Sequence, residues 1–350
     1  MYIGDMAEKS IKEKYPWLFL DKKLKVDLIY DFFEEDEDNE KESKAAQDTV
    51  NIAMELVKAL EDMGHIVTTT AIKKEIMREQ LGSLTGDVVF NLVEEDILGF
   101  EVLKYLEELK KIVTGVDSVG YKLSWDKGRT KELLIEAGVS TPKFVVIKPD
   151  EEMKIEGLTF PLFVKAADDH GSLSINQKSK VNNREELVSQ VKWVKDNIGG
   201  PALVEEYIEG RELGVTVLGN DEKMVLLPIK EILFGKEFEG KVKVVTYDGK
   251  WNSESSDYAG LMSMDCPALL EEEESAEIEK MVRKSCLALG VRDYVRFDIR
   301  LRDGVPYIID YNANPALGSE DASGLPVKRF GMTYPEFISA IVAVAVARDV

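Results

Sequence analysis

Cysteine is scarce in this 350-residue chain: Cys266 and Cys286 are the only two. They have no metal-type spacing and outline no disulfide framework, so a reducing, cytoplasmic setting fits. Basic residues are outnumbered, with 45 Lys and Arg against 66 Asp and Glu and a formal net charge of −21. A field of that sign disfavours nucleic-acid backbones and anionic membranes as partners. A polyanionic ligand would have to be held by a few local lysines and a metal ion. No apolar run approaches the roughly 18 residues of a transmembrane helix. The amino-terminal MYIGDMAEKSIKEKYPW has no signal-peptide core. The run from Ile338 to Ala347 is too short to span a bilayer and reads as a buried helix. No G-x-G-x-x-G follows the first strand and no Walker A sequence occurs, which leaves both phosphate-binding fingerprints unsupported. Internal repeats and low-complexity segments are absent.

The length and a hydrophobic fraction of 44% predict two or three globular domains. Residues 1–24 read as a peripheral helical extension. Residues 25–30, 65–69 and 87–93 read as strands. The acidic stretch Glu34 to Glu42 reads as a solvated loop, and 43–63 as an amphipathic helix stopped by Gly64. This β-α-β-α-β order predicts a parallel α/β sheet with crossover helices. A second unit begins near Asp117. Asp126 is placed to cap a helix that Gly138 stops, and strands follow at 144–147 and 161–166. A polar loop covers 168–176 and contains His170, a loop residue with a remote claim to a substrate role. A helix over 183–198 precedes a strand at 201–207 and strands at 211–218 and 223–232. Residues 234–258 are long, polar and glycine-punctuated, which marks a functional segment or a disordered one. A helix over 271–289, a hairpin and a helix near 334–348 close the chain.

The hairpin carries the most chemistry. Tyr294, Arg296, Asp298 and Arg300 alternate with Val295, Phe297 and Ile299. A two-residue turn at Asp303-Gly304 would put Asp298 and Asp310 on opposite faces. A three-residue turn, Arg302-Asp303-Gly304, would pair Leu301 with Val305 and set Arg296 opposite Asp310. Arg296, Asp298, Asp310 and Asn312 would then share one face, with Ile309 and Tyr311 on the core face. The three-residue turn is therefore expected. Two carboxylates and an amide suit Mg²⁺, a hard ion with oxygen ligands. The plainer alternative is an exposed face with a cross-strand Arg–Asp pair. Lys165 ends an apolar strand ahead of a polar loop, where it can meet phosphates or simply solvent. Residues 203–213 join two strands and form either a hinge that offers backbone groups to a purine edge or an acidic surface turn.

Taken in order, several blocks resemble the ATP-grasp superfamily, and among its branches the D-alanine–D-alanine ligases and related carboxylate–amine ligases. They are Asp126-Lys127 with Thr130-Lys131, Gly138 to Pro142, Phe160 to Lys165, Leu203 to Leu213, Tyr247 to Trp251, Cys266-Pro267-Ala268, Arg296-Phe297-Asp298, and Asp310 to Pro315. The resemblance spans roughly 117–345. It implies an α/β protein of ATP-grasp fold whose α+β lobes, 117–208 and 209–350, follow a Rossmann-like pre-ATP-grasp domain over 25–116 and the extension 1–24. It implies that Lys127 and Lys165 hold the phosphates of ATP, that Glu205, Glu206, Tyr207 and Ile208 hold the adenine, and that Glu212 holds the ribose. Lys250 would reach the γ-phosphate from a closing loop. Asp298, Asp310 and Asn312 would ligate Mg²⁺, with Mn²⁺ as an alternative, and Arg296 would stabilise an oxyanion. Ser323 would be the substrate serine. The implied reaction joins a carboxylate to an amine through an acyl phosphate. The substrates would be amino acids or short peptides, with neither nucleic acid nor membrane as partner and a homodimer as an option. An ATP-grasp phosphotransferase and a non-catalytic ATP-binding scaffold are the competing readings. Asp310 stands where the branch usually has glutamate. Asp31 to Asp36 and Val93 to Ile97 replace the segments that recognise D-alanine in those ligases.

Overall fold

The computed structural model describes residues 10–33, 40–149, 151–169, 171–261, 263–319 and 323–348. His170 and the acidic residues 34–39 lie outside the described residues, and so does the start of the extension. Three sheets organise the described residues. In the first, β1 (Lys25–Asp31), β2 (Ile66–Ile72) and β3 (Val88–Leu92) run parallel in the order β2-β1-β3. Strand β1 is buried along most of its length because helices cover both faces. The helix Glu40–Asp62 makes the first crossover, and Gly64 adopts φ +84 where a side chain would be strained. On that helix packs the C-terminal helix Tyr334–Arg348, so Leu18, Leu56, Phe337 and Ile341 share one core. The last apolar run is therefore interior. No single helix among the described residues is long and apolar enough to cross a membrane.

The second sheet contains β4 (Phe144–Ile147), β5 (Leu162–Ala166), β6 (Lys180–Val181) and β7 (Ala202–Glu206) in the antiparallel order β4-β7-β5-β6. Leu187 and Val194 of the helix Arg184–Asn197 pack on its Val164 and Val204. The third sheet contains β8 (Arg211–Leu218), β9 (Val225–Leu226), β10 (Lys230–Leu233), β11 (Ser263–Asp265), β12 (Tyr294–Arg302) and β13 (Val305–Asn312). Its order is β11-β10-β8-β12-β13, with β9 paired to β8. The helices Lys127–Glu136 and Glu272–Leu289 cover its apolar face, where Leu134, Ile278 and Val282 meet Phe297 and Ile299. As expected, the Asp126 carboxylate caps the first of these helices, accepting from Arg129 N at 2.8 Å, and Gly138 follows it at φ +65. The single strand expected over 223–232 is broken at Leu227-Pro228-Ile229, because proline cannot donate to a ladder. Segment 234–258 is built from short helices, Lys236–Phe238, Tyr247–Trp251 and Ser256–Gly260. The helix Met77–Gly82 lies in the second expected crossover, whereas the helices Asp96–Glu108 and Ser118–Trp125 have no counterpart among the elements expected from sequence.

The hairpin turn corrects the expectation. Arg302 pairs with Val305, so the loop has two residues, Asp303 and Gly304. Their φ values of +52 and +75 are those of a type I′ turn, whose twist matches the flanking strands. The carboxylates still share a face because β13 carries a bulge. Ile299 pairs with Ile308 and Asp298 with Asp310, which leaves Ile309 as the extra residue. Ile308 rather than Ile309 enters the core, and Arg296 faces Asn312 rather than Asp310. The cause is tertiary. The Ile308 N–H donates to Ser140 O at 3.0 Å, its carbonyl accepts from Thr141 Oγ1 at 2.8 Å, and the Ile309 carbonyl accepts from Lys165 Nζ at 3.0 Å.

Candidate active site

A cavity of about 690 Å³ lies between the two antiparallel sheets, under the 234–261 segment. Its lining includes Lys127, Lys165, Glu205, Glu206, Tyr207, Ile208, Glu212, Lys250, Arg296, Asp298, Asp310 and Asn312. The polar face of the hairpin thus lines this cavity. Arg296 donates to both oxygens of Asp298, Nε to Oδ1 at 2.7 Å and Nη2 to Oδ2 at 3.1 Å. This pair forms within β12, two residues apart. Asn312 Nδ2 also donates to Asp298 Oδ2, at 3.1 Å. Burial alone would push the Asp298 carboxyl up, but Arg296 more than compensates and holds it below the usual carboxylate range. Asp310 stands directly opposite Asp298 and accepts from Tyr311 N at 3.1 Å.

Lys165 meets the hairpin from the second sheet, and Lys127 and Lys131 from the helix Lys127–Glu136. Glu205, on β7, lies 2.7 Å from Lys131 Nζ and 3.3 Å from Lys165 Nζ, and all three side chains are buried. Burial works against the Lys165 ammonium, but Glu205 and Asp310 outweigh it and its pKa is raised. For Lys131 burial and the neighbouring Lys165 prevail, and its pKa is lowered. Burial also opposes the Glu205 carboxylate, yet the two lysines draw its pKa down. Glu205 is thus an internal counterion as well as a cavity residue. Lys127, at the start of its helix, binds the Asp169 backbone carbonyl and lies 3.3 Å from Asp169 Oδ1. At the strand-to-strand junction Tyr207 stacks on Phe163 with ring centroids 6.1 Å apart, while Ile208 is buried. Glu212 is paired with Arg300, and burial pushes its carboxyl up.

The 234–261 segment docks onto the loop after β5. Tyr247 N donates to Ile175 O at 3.0 Å and Trp251 Nε1 to Gly171 O at 3.0 Å. Gln177 Nε2 donates to Asp257 Oδ2 at 3.0 Å. This brings Lys250 into the cavity, where burial and Arg296 lower its pKa. Ser323 is not brought there. It is buried at the start of the helix Gly324–Phe330, with its hydroxyl 3.2 Å from Thr216 Oγ1 on the third sheet. Two cavity cations were missed from sequence. Arg300 was visible as the next member of the Arg296, Asp298 alternation. Lys230 was visible only as one of two charges in the otherwise apolar stretch Pro228 to Leu233.

An antiparallel sheet pair closing on a basic-lined cavity, after a parallel α/β unit, defines an ATP-grasp protein. The family model described as D-ala D-ala ligase C-terminus matches residues 133–343. The chain therefore belongs to the D-alanine–D-alanine ligase family and is an ATP-binding, ATP-dependent ligase of that kind. It is 30% identical over 306 residues to the uncharacterized protein y4sG of Sinorhizobium fredii, covering 84% of this chain and 87% of that one. It is 28% identical over 247 residues to the D-alanine–D-alanine ligase of Bordetella petrii, covering 69% of this chain and 71% of the relative. Among solved structures, the D-alanine–D-alanine ligase of Bacillus anthracis superposes with a TM-score of 0.74 at 19% identity, over 93% of this chain and 98% of that one. The VanG D-Ala:D-Ser ligase of Enterococcus faecalis gives 0.70 at 20% identity, over 93% and 100%. At these identities the superpositions show the shared fold.

Proposed function

We propose that the protein joins the carboxylate of one amino acid or short peptide to the amine of another through an acyl phosphate. The observation that carries this is the charge inside the cavity. Six cationic side chains, Lys127, Lys165, Lys230, Lys250, Arg296 and Arg300, line it in a chain whose net charge is −21. Such convergence suits a triphosphate and the charge that develops as its terminal group moves. The division into 25–116, 117–208 and 209–350 is proposed with it, the last two units closing on the nucleotide.

In this reading the adenine lies against Tyr207 and Ile208, with Glu205 and Glu206 beside it, and the ribose is held by Glu212. Lys127 and Lys165 hold the phosphates and Lys250 meets the γ-phosphate. Asp298, Asp310 and Asn312 offer oxygen atoms from directly paired strands. Among the described residues no cluster of three or more Asp, Glu, His or Cys is placed to hold a metal. Two carboxylates and one amide fit Mg²⁺, which commonly leaves its other positions to water and phosphate. The ion would supply charge neutralisation at the phosphates. Arg296 already binds both oxygens of Asp298, so such an ion would compete with the guanidinium for that carboxylate and loosen its hold. A freed Arg296 is then available to the oxyanion of the tetrahedral intermediate. The 234–261 segment keeps water from an acyl phosphate that would otherwise hydrolyse. Ser323 has no contact role in this reading, since its hydroxyl turns to Thr216. Asp31 to Asp36 and Val93 to Ile97 differ from the corresponding segments of the D-alanine ligases, so the carboxylate substrate is left as an amino acid or short peptide without further restriction.

The test is phosphate release by purified protein with ATP, Mg²⁺ and a panel of amino acids and dipeptides, with mass spectrometry of the products. An amide-linked product is expected. A stable phosphorylated product without an amide would indicate a phosphotransferase. ATP binding without phosphate release for any candidate would overturn the ligase reading.

A further inference from the structure

Most of the cavity's cations already have partners in the protein. Lys127 is held by Asp169, Lys165 by Glu205 and the Ile309 carbonyl, Arg296 by Asp298, and Arg300 by Glu212. Lys230 differs. It lines the cavity and is 4% exposed, and its ammonium makes no hydrogen bond or ion pair with any of the described residues. Burying a cation without an anion is unfavourable, so a buried cation of this kind is best explained by a ligand that supplies the anion.

The sheet register says which part of a ligand it would meet. Lys230 pairs with Gly214, Gly214 with Asp298, and Asp298 with Asp310, so the four form one row across β10, β8, β12 and β13. Gly214 is what opens the row. A Cβ built on it would come within 2.5 Å of Lys230 Cε, 3.2 Å of Cγ and 3.4 Å of Cδ. The lysine stem therefore lies over the glycine and carries the ammonium along the row toward Asp298. Two residues away along β8, in one direction, is the Glu212 level, paired with Arg300 and Ile232. Two residues away in the other is the level of Thr216 and Arg296. In the proposed reading these are the ribose level and the oxyanion level. The Lys230 row falls between them, where the triphosphate must pass.

We propose that Lys230 is a further phosphate-binding residue that contacts the terminal phosphoryl group of ATP beside Asp298 and Asp310. This rests on the reading of the cavity as the ATP site. The test is calorimetric titration of the full chain in Mg²⁺ with ADP and with the β,γ-imido analogue of ATP. Lys230→Gln is expected to lose about tenfold or more in affinity for the analogue, the scale of one charge-assisted contact, and less than about threefold for ADP. Lys230→Arg should retain most of the analogue's affinity. Gly214→Ala gives a second handle, because the added methyl displaces the Lys230 stem. It should show the same analogue-selective loss. Retained ADP affinity reports that each variant is folded. Equal losses for both nucleotides, or no loss for either, would overturn the assignment. An unchanged analogue affinity with a raised KM for the carboxylate substrate would move Lys230 to that substrate and overturn it too. If the wild-type chain binds neither nucleotide, the ATP-site reading itself fails, which is a separate outcome.

Discussion

Replacing Glu205 with Gln removes one charge from a buried triad and nearly nothing else. The amide keeps the volume and one acceptor. Lys131 keeps its bond to Thr141 Oγ1 at 2.7 Å, and Lys165 keeps its bond to the Ile309 carbonyl at 3.0 Å. What disappears is the only carboxylate within 4.0 Å of either ammonium among the described residues, at 2.7 and 3.3 Å. Stranding a buried charge by deleting its partner costs about 3–5 kcal/mol. Because two neutral acceptors survive, a loss near the lower end, ~3 kcal/mol, is expected for Glu205→Gln at pH 7. The folded chain has one way to relieve this, which is to deprotonate Lys131, whose pKa burial already lowers. The variant's folded state then binds fewer protons than its unfolded state, so its stability rises with pH and its deficit narrows toward pH 10. Urea unfolding followed by tryptophan fluorescence at pH 7 and pH 9.5 measures both quantities. The double variant Glu205→Gln with Lys131→Met should recover part of the loss, since it leaves a single buried ammonium. A deficit below ~1 kcal/mol at pH 7, unchanged at pH 9.5, would mean that water screens the triad and that the burial argument is wrong.

Three other outcomes follow from particular contacts. Arg296→Met should lower kcat by roughly 10²–10³-fold, the effect of losing one oxyanion donor. It should also lower the Mg²⁺ concentration needed for half-maximal rate, because Asp298 loses its competing partner; steady-state rates against Mg²⁺ measure both effects. Asp31 is buried with one carboxylate oxygen unpaired, and burial raises its pKa from 3.8 to about 6. A carboxyl raised in the folded state is a destabilising charge above that pKa and neutral in both states below 3.8. Asp31→Asn should therefore stabilise the chain by up to ~3 kcal/mol above pH 6 and by little near pH 3.8, as read by thermal melting at the two pH values. Gly304→Ala, at φ +75 in the type I′ turn, should destabilise by about 1 kcal/mol in the same melts.

The parts of the fold written in local chemistry were legible. Asp126 and Gly138 bracket their helix, and the alternation in β12 predicted the polar face of Arg296, Asp298 and Arg300. The turn was not, because Arg302-Asp303-Gly304 satisfies a two-residue and a three-residue hairpin equally well. The bulge that keeps Asp298 and Asp310 together has no local signature either. It is imposed by Ser140, Thr141 and Lys165, more than 140 residues away in sequence. Conversely, the helix Asp96–Glu108 was readable from the spacing of Leu98, Val102, Leu103 and Leu106, which all face the core. Ser323 rested on the resemblance alone, which carries no information about which way its hydroxyl turns.

The acyl phosphate is the central claim, and oxygen tracing tests it most directly. Once a substrate from the panel is turned over, its carboxylate is labelled with ¹⁸O and the released phosphate is examined by mass spectrometry. Attack of that carboxylate on the γ-phosphate transfers one labelled oxygen to each phosphate released. Phosphate carrying no ¹⁸O, released together with the amide, would contradict the account.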